Sequence, residues 1–177
     1  MGDHLSLIEP TEELQEQYLA FYKEWKESGE DMIPWVISKD PKDFKAMVEW
    51  LQDSKKGTNL KPGWVPDSTF WLINLNRDII GVVNIRHDLT EKLYQYGGHI
   101  GYGIRRSQRQ KGYATRLLAL SLEKCKVLGL NKVLVCCDED NIGSEKTILN
   151  NGGIRDTDFI EEDGNVVRRY WIELNKQ

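Results

Sequence analysis

Seven consecutive residues, Arg109-Gln110-Lys111-Gly112-Tyr113-Ala114-Thr115, combine two fixed cations with a glycine at what reads as the turn from a strand into a helix. Backbone N–H groups in the first turn of a helix have no intrahelical acceptor, and with the helix dipole behind them they hold an anion such as a pyrophosphate. Gly112 lets that anion approach the main chain with no side chain in the way, and Arg109 and Lys111 add positive charge. Two nucleotide motifs fit poorly. The junction lacks the third glycine of a dinucleotide fingerprint, and Lys111-Gly112 reverses the Gly-Lys order of a P-loop.

Titratable and nucleophilic side chains lie on either side of this turn. His99 sits in Gly98-His99-Ile100-Gly101-Tyr102, and an imidazole changes charge near neutral pH; a strand histidine satisfied by core partners is the competing reading. Alternation along the next strand sends Asp138 and Glu139 to opposite faces. Cys136 and Cys137 offer thiols, yet adjacent cysteines in a buried strand pack as small hydrophobes. Glu30, Asp31, Trp35, Trp64 and Asp67 fall in or beside loops, where carboxylates mixed with aromatics suit a cation. Core tryptophans and solvated acids would produce the same pattern.

The run Arg109-Gln110-Lys111-Gly112-Tyr113-Ala114 resembles the Arg/Gln-x-x-Gly-x-Gly/Ala signature of the GNAT acetyltransferase superfamily. Asn141-Ile142-Gly143-Ser144, followed by Asn151-Gly152-Gly153, is similar to that family's second motif, and so is the register of elements from Thr69 to Leu174. The resemblance implies an α/β GNAT acyl-CoA N-acyltransferase fold, with a central mixed, mostly antiparallel twisted sheet of about seven strands flanked by about four helices. It implies acetyl-CoA as cosubstrate, no metal, and transfer of the acetyl group to a primary amine of a small molecule or peptide by direct attack in a ternary complex. A non-catalytic CoA-binding or sensing module of the same fold is the alternative.

The residues implied to hold the cofactor are Tyr102, Gly103 and Ile104 through their backbone, the turn from Arg109 and Gln110 through Lys111, Gly112, Tyr113, Ala114 and Thr115, and Asn141 and Ser144. Gly101 and Gly103 fit close approach of the pantetheine arm, and equally relief of crowding against a helix. A backbone N–H near Tyr102 would polarise the thioester carbonyl. An alkylamine with a pKa of roughly 10.4 is mostly protonated at neutral pH, so a base is expected, and His99 stands where many members have a glutamate. Asp31 and Trp35 are the expected acceptor-side residues. The family's tyrosine acid, seven positions past the asparagine, corresponds to Ile148, which has no proton to give. Another hydroxyl such as Tyr113, a water, or unassisted thiolate departure stay open, and Asn141 is either a pantetheine ligand or a helix cap.

The elements that would position these groups follow from period and punctuation. Leu5 to Ile8 predicts a strand, and Leu14, Tyr18, Phe21, Tyr22 and Trp25 a helix stopped at Ser28-Gly29. Asp40-Pro41 reads as the cap and first turn of a second helix carrying Phe44, Met47, Val48 and Leu51 and ending near Gly57, followed by a loop from Thr58 to Asp67. Thr69 to Leu75 and Ile79 to Arg86 form a hairpin, and Gly98 to Ile104 a third strand. A helix through Leu117, Leu118, Leu122 and Cys125 is closed by Gly129; a strand from Lys132 to Cys137 and a short helix from Ile142 to Asn151 follow. Asp163-Gly164 turns a last hairpin between Ile154 to Glu162 and Asn165 to Leu174.

The 177 residues with 40% hydrophobic content suit one domain over 1–177, with acceptor-side helices and loops over 11–67, a cofactor core over 69–153 and a hairpin over 154–174. A net charge of -4 argues against a nucleic-acid or membrane surface, and a homodimer stays open. Three cysteines at spacings that match neither a zinc set nor a disulfide framework, and no signal-peptide pattern, predict a cytoplasmic protein.

Overall fold

A computed structural model describes residues 3–175. Thr11, accepting from the Glu13 N–H at 3.3 Å, opens a 3-10 turn that leads into α1 (Gln15–Ser28). Tyr18, Phe21 and Trp25 recur on its buried face, and Gly29, left-handed with φ 70°, ends it. The second helix, α2 (Phe44–Lys56), is capped by Asp43, which accepts from the Ala46 N–H at 3.0 Å. Asp40, expected to be the cap, accepts only from the Lys42 N–H two residues on. That bond makes a turn, whereas a cap must reach the second or third helical N–H.

The first sheet holds β1 (Ser6–Ile8), β2 (Asp67–Ile73), β3 (Ile79–Arg86) and β4 (Ile100–Ile104), antiparallel in that order. Then α3 (Tyr113–Val127) crosses to β5 (Lys132–Asp138), and α4 (Ile142–Asn150) leads to β6 (Ile154–Arg155), β7 (Phe159–Ile160) and β8 (Val166–Glu173). The second sheet runs β5-β8-β6, with β7 also pairing β8. The described residues therefore form eight strands in two sheets, and every pairing among them is antiparallel. The expected final hairpin is interrupted after Asp156, which still donates its N–H to Arg169 O at 2.8 Å while its carboxylate accepts from Trp171 Nε1 at 2.9 Å and faces Arg169; pairing resumes at β7.

The fully buried strands send alternate residues to two cores. Phe70, Leu72, Val83 and Ile85 meet Leu117 and Leu118 of α3 and Val133 and Val135 of β5. Trp71, Ile73 and Val82 meet α1 and α2 on the other face, where Tyr18 stacks on Trp71 with ring centroids 4.8 Å apart. Cys125, Cys136 and Cys137 are all free thiols.

The two sheets meet at β4 and β5. His99 donates its N–H to Leu134 O at 2.7 Å, and Leu134 returns its N–H to His99 Nδ1 at 2.9 Å. Beyond this contact no backbone bond joins β4 to β5 among the described residues. The register pairs Tyr102 with Val83, and the bonds Arg86 N–H to His99 O and Arg105 N–H to Ile80 O fix which β4 residues bond to β3. By antiparallel alternation Tyr102 is in a non-bonded pair, so its N–H and C=O point away from β3, into the gap before β5.

Candidate functional site

A cleft of about 820 Å³ opens where β4, the turn after it, the start of α3 and the start of α4 converge. It takes in Tyr102, Gly103, Ile104, Arg109, Gln110, Gly112, Tyr113, Ala114, Thr115, Asn141 and Ser144, so every expected cofactor residue but one lines it. The exception is Lys111, whose ammonium donates to Gln108 Oε1 at 3.0 Å on the surface. A second depression, about 900 Å³ around Lys39, Asp43 and Trp50, contains none of the motif residues.

The turn leaves a row of backbone donors open. Gln110 (φ 61°) and Gly112 (φ 79°) are both left-handed, a curl that aims successive N–H groups at one point. From Gln110 through Thr115 no backbone N–H has an acceptor among the described residues; the first engaged is Arg116, bonded to Gly112 O. A Cβ on Gly112 would meet nothing within 4 Å, so the space over the turn is open. With Tyr102 N–H and C=O exposed along the same cleft, these features fit a pyrophosphate followed by an amide-bearing arm.

Side chains brace the turn from α1. Glu24 accepts from Arg105 Nε at 2.6 Å and from the Ser107 N–H at 2.8 Å; burial raises its carboxyl pKa, but these bonds outweigh it and hold the group below its usual range. Arg109 spends its guanidinium on protein: Nε donates to Ile104 O at 2.9 Å, and both terminal nitrogens grip Glu30 at 3.0 and 2.7 Å, over the Trp25 ring. The Arg109 bonds hold the Glu30 carboxyl below its ordinary value. Arg109 thus shapes the turn, and the expected positive charge toward the anion falls to backbone dipoles.

The second motif is equally explicit. Asn141 Oδ1 caps α4 by accepting from the Ser144 N–H at 3.1 Å while the residue lines the cleft, so both readings of it are compatible. Asn151 donates to Thr115 O and Thr147 O, tying the end of α4 to the start of α3. Ile148 is fully buried, and Gly153 lies so close to it that a Cβ would overlap its side chain.

Tyr102 is the hydroxyl the sequence did not single out. Its side chain crosses to α4, where its OH and the Ser144 hydroxyl are 2.7 Å apart, and burial pushes its pKa up to about 12. Tyr113, the named alternative to Ile148, instead donates to Asp3 at the surface. Gly103 is required by close approach of another backbone, that of the chain itself: a Cβ there would overlap the Ile33 carbonyl and the Trp25 ring. Through that approach Trp25, Glu30, Asp31 and Ile33 join the cleft wall. Trp25 and Ile33 were missed because one reads as helix core and the other as loop; the tight Gly103 was the available signal.

Two expectations fail here, at His99 and at Trp35. His99 is buried and outside the cleft, and its Nδ1 lone pair is taken by the Leu134 N–H. The proton therefore sits on Nε2, and burial lowers the pKa to about 4, so the ring clamps two strands and has no free lone pair to accept a substrate proton. Trp35 packs edge-on against Trp50 and Trp64, away from the cleft. Cys136 and Cys137 are pushed up by burial to about 12 and about 11, so neither is a thiolate at neutral pH. Asp31 does line the cleft, with its carbonyl accepting from Trp25 Nε1 at 3.0 Å. Among the described residues no group of three or more His, Cys, Asp or Glu could hold a metal, and no helix is long and apolar enough to cross a membrane.

The chain is similar over its whole length to solved structures. The ribosomal-protein-S5-alanine acetyltransferase from Vibrio fischeri superposes with a TM-score of 0.73 at 14% identity, covering 99% of this chain and 96% of the other. The microcin C7 self-immunity acetyltransferase MccE, solved with acetyl-CoA and AMP, gives 0.69 at 17% identity over 97% and 93%. The dodecameric spermidine N-acetyltransferase from Vibrio cholerae gives 0.65 at 15% over 96% and 94%. No curated protein sequence matches the chain. The family model described as an acetyltransferase (GNAT) domain matches residues 4–154, which include β4, the glycine turn before α3 and the capped start of α4, and the chain therefore belongs to the GNAT acetyltransferase family.

Proposed function

We propose that the chain transfers the acetyl group of acetyl-CoA to a primary amine by direct attack in a ternary complex. The observation that carries this reading is one cleft holding both the row of unpaired N–H groups from Gln110 to Thr115 and the outward-facing N–H and C=O of Tyr102. Bound acetyl-CoA supplies an activated acyl thioester. The turn holds its pyrophosphate, Asn141 and the Tyr102 to Ile104 edge orient the arm, and the Tyr102 N–H polarises the acyl carbonyl. The Tyr102 hydroxyl, relayed through Ser144, donates to the departing thiolate in place of the family's tyrosine at the Ile148 position. Asp31, in the cleft wall, attracts the protonated amine, which gives one proton to solvent before its lone pair attacks the acyl carbon and a second as the amide forms; solvent restores the proton that Tyr102 gives up.

The test is calorimetric titration of acetyl-CoA into wild type and Gly112→Trp, with thermal unfolding as the fold control. Micromolar binding that weakens at least about 100-fold in the variant supports the reading. A folded wild type that binds no acetyl-CoA removes it. Binding without thiol release over a broad amine panel favours the alternative, a non-catalytic CoA-binding module, for which the loss of the tyrosine at Ile148 argues.

A further inference from the structure

Four arginines are half-buried or buried among the described residues: Arg86, Arg105, Arg168 and Arg169. Three of them face a carboxylate, Arg105 on Glu24, Arg168 on Glu145 and Arg169 on Asp156. Arg86 has none within 4.0 Å, and its recorded hydrogen bond is a single long one, 3.4 Å from one terminal nitrogen to Gly97 O. A guanidinium has five N–H donors in a planar fork, and apart from the bond to Gly97 those of Arg86 are uncommitted in the protein. The nearest acid whose field it feels is Asp67, which accepts from Asn84 at 2.7 Å and which burial pushes toward its neutral form. Asp67 stands opposite Arg86 across the β2–β3 ladder but forms no ion pair with it within 4.0 Å, so the fork keeps donors for an anion.

Its position is specific. Both terminal nitrogens lie 3.3 Å from where a Cβ on Gly101 would stand, and Pro34 covers the same point at 3.4 Å. Gly101 directly precedes Tyr102, so the guanidinium stands one residue along β4 from the edge assigned to the thioester. It is on the opposite face of the sheet from Ser144, because side chains at 101 and 102 point to opposite faces. On β5 the group that shares its field is Cys136, across the gap between the sheets.

We propose that Arg86 is the anion anchor of the acceptor site, and that the acceptor is a small amine bearing a carboxylate one or two carbons from its amino group. The inference rests on the acetyltransferase reading above. A carboxylate held about 3 Å from the Arg86 fork, with strand residues spaced about 3.4 Å apart, brings an α- or β-amino group to the thioester edge at Tyr102. A polyamine would instead set a second ammonium beside a fixed guanidinium, which repels it.

The experiment is thiol release from acetyl-CoA with free α- and β-amino acids, the same compounds as carboxamides, and spermidine, using wild type, Arg86→Gln and Arg86→Lys. At least one free amino acid is expected to turn over, with its carboxamide at least tenfold slower in kcat/KM. Arg86→Gln raises the amino-acid KM at least tenfold and erases the difference between acid and amide. Arg86→Lys retains part of the difference, and the calorimetric affinity for acetyl-CoA is unchanged in both variants. Carboxamides or spermidine used as well as free acids would overturn the proposal. So would an Arg86→Gln effect equal for all amines, or no amino-acid turnover by protein that binds acetyl-CoA normally. Loss of acetyl-CoA binding in wild type would instead remove the underlying reading, so the two failures are distinct.

Discussion

The chemistry of the cleft rests on a few atoms whose partners are already committed. Arg109 is bonded to Ile104 and Glu30, His99 to Leu134, and Tyr113 to Asp3, which leaves Tyr102 as the tyrosine whose hydroxyl reaches across the cleft to Ser144. Replacing Tyr102 with Phe is expected to lower kcat about 10- to 100-fold, the low end for a general acid because a thiolate leaves without much help. The affinity for acetyl-CoA changes little, because the N–H and C=O of residue 102 are kept. An unchanged kcat would assign the proton to solvent. The open backbone donors of the turn before α3 were legible in the sequence because glycine and first-turn N–H groups declare their own geometry. The Tyr102 hydroxyl was not, because a tyrosine in an apolar strand looks like core until the helix it reaches is known. His99 misled for the converse reason: composition gives a histidine's ordinary pKa, and the Leu134 N–H that removes its lone pair comes from a strand 35 residues away.

At the scale of elements, β4 and β5 are held together by one histidine and then part. His99 is neutral in the fold, with burial lowering its pKa to about 4 from an ordinary 6.5. Its contribution is fully present above the unfolded pKa and is lost as pH falls from about 6.5 through about 4, because the unfolded chain takes up the proton first. Urea unfolding at pH 7 and pH 4.5 is expected to show a loss of about 1 to 3 kcal/mol from this group in wild type. The loss should be smaller in His99→Gln, whose amide oxygen can still accept from Leu134 but does not titrate. An identical pH slope in both proteins would move the titration elsewhere. The order of helices and strands could be read from period alone, but two boundaries could not. Asp40 and Asp43 are both plausible caps, and only the backbone decides which reaches a helical N–H. The last hairpin breaks just after Asp156, whose carboxylate serves Trp171 and Arg169 on the neighbouring strand, long-range contacts with no local signature.

Over the whole molecule, the division of an expected single sheet into two follows from which strand pairs with which, and sequence period carries no such label. The acceptor-side prediction suffered similarly. Asp31 reaches the cleft because Gly103 lets the Ile33 carbonyl settle on β4, whereas Trp35, a few residues later, turns into the Trp50 and Trp64 cluster. The same settling of the chain puts Trp25 against Gly103 and beneath Arg109. Of the six tryptophans it alone lines the cleft. The protein therefore carries its own optical reporter. An arm laid along Gly103 changes the hydration and the local field at one indole while the other five are left as they were, so acetyl-CoA should alter the intrinsic emission in a saturable way. Trp25→Phe should silence that signal, and the fluorescence midpoint in wild type should match the calorimetric one.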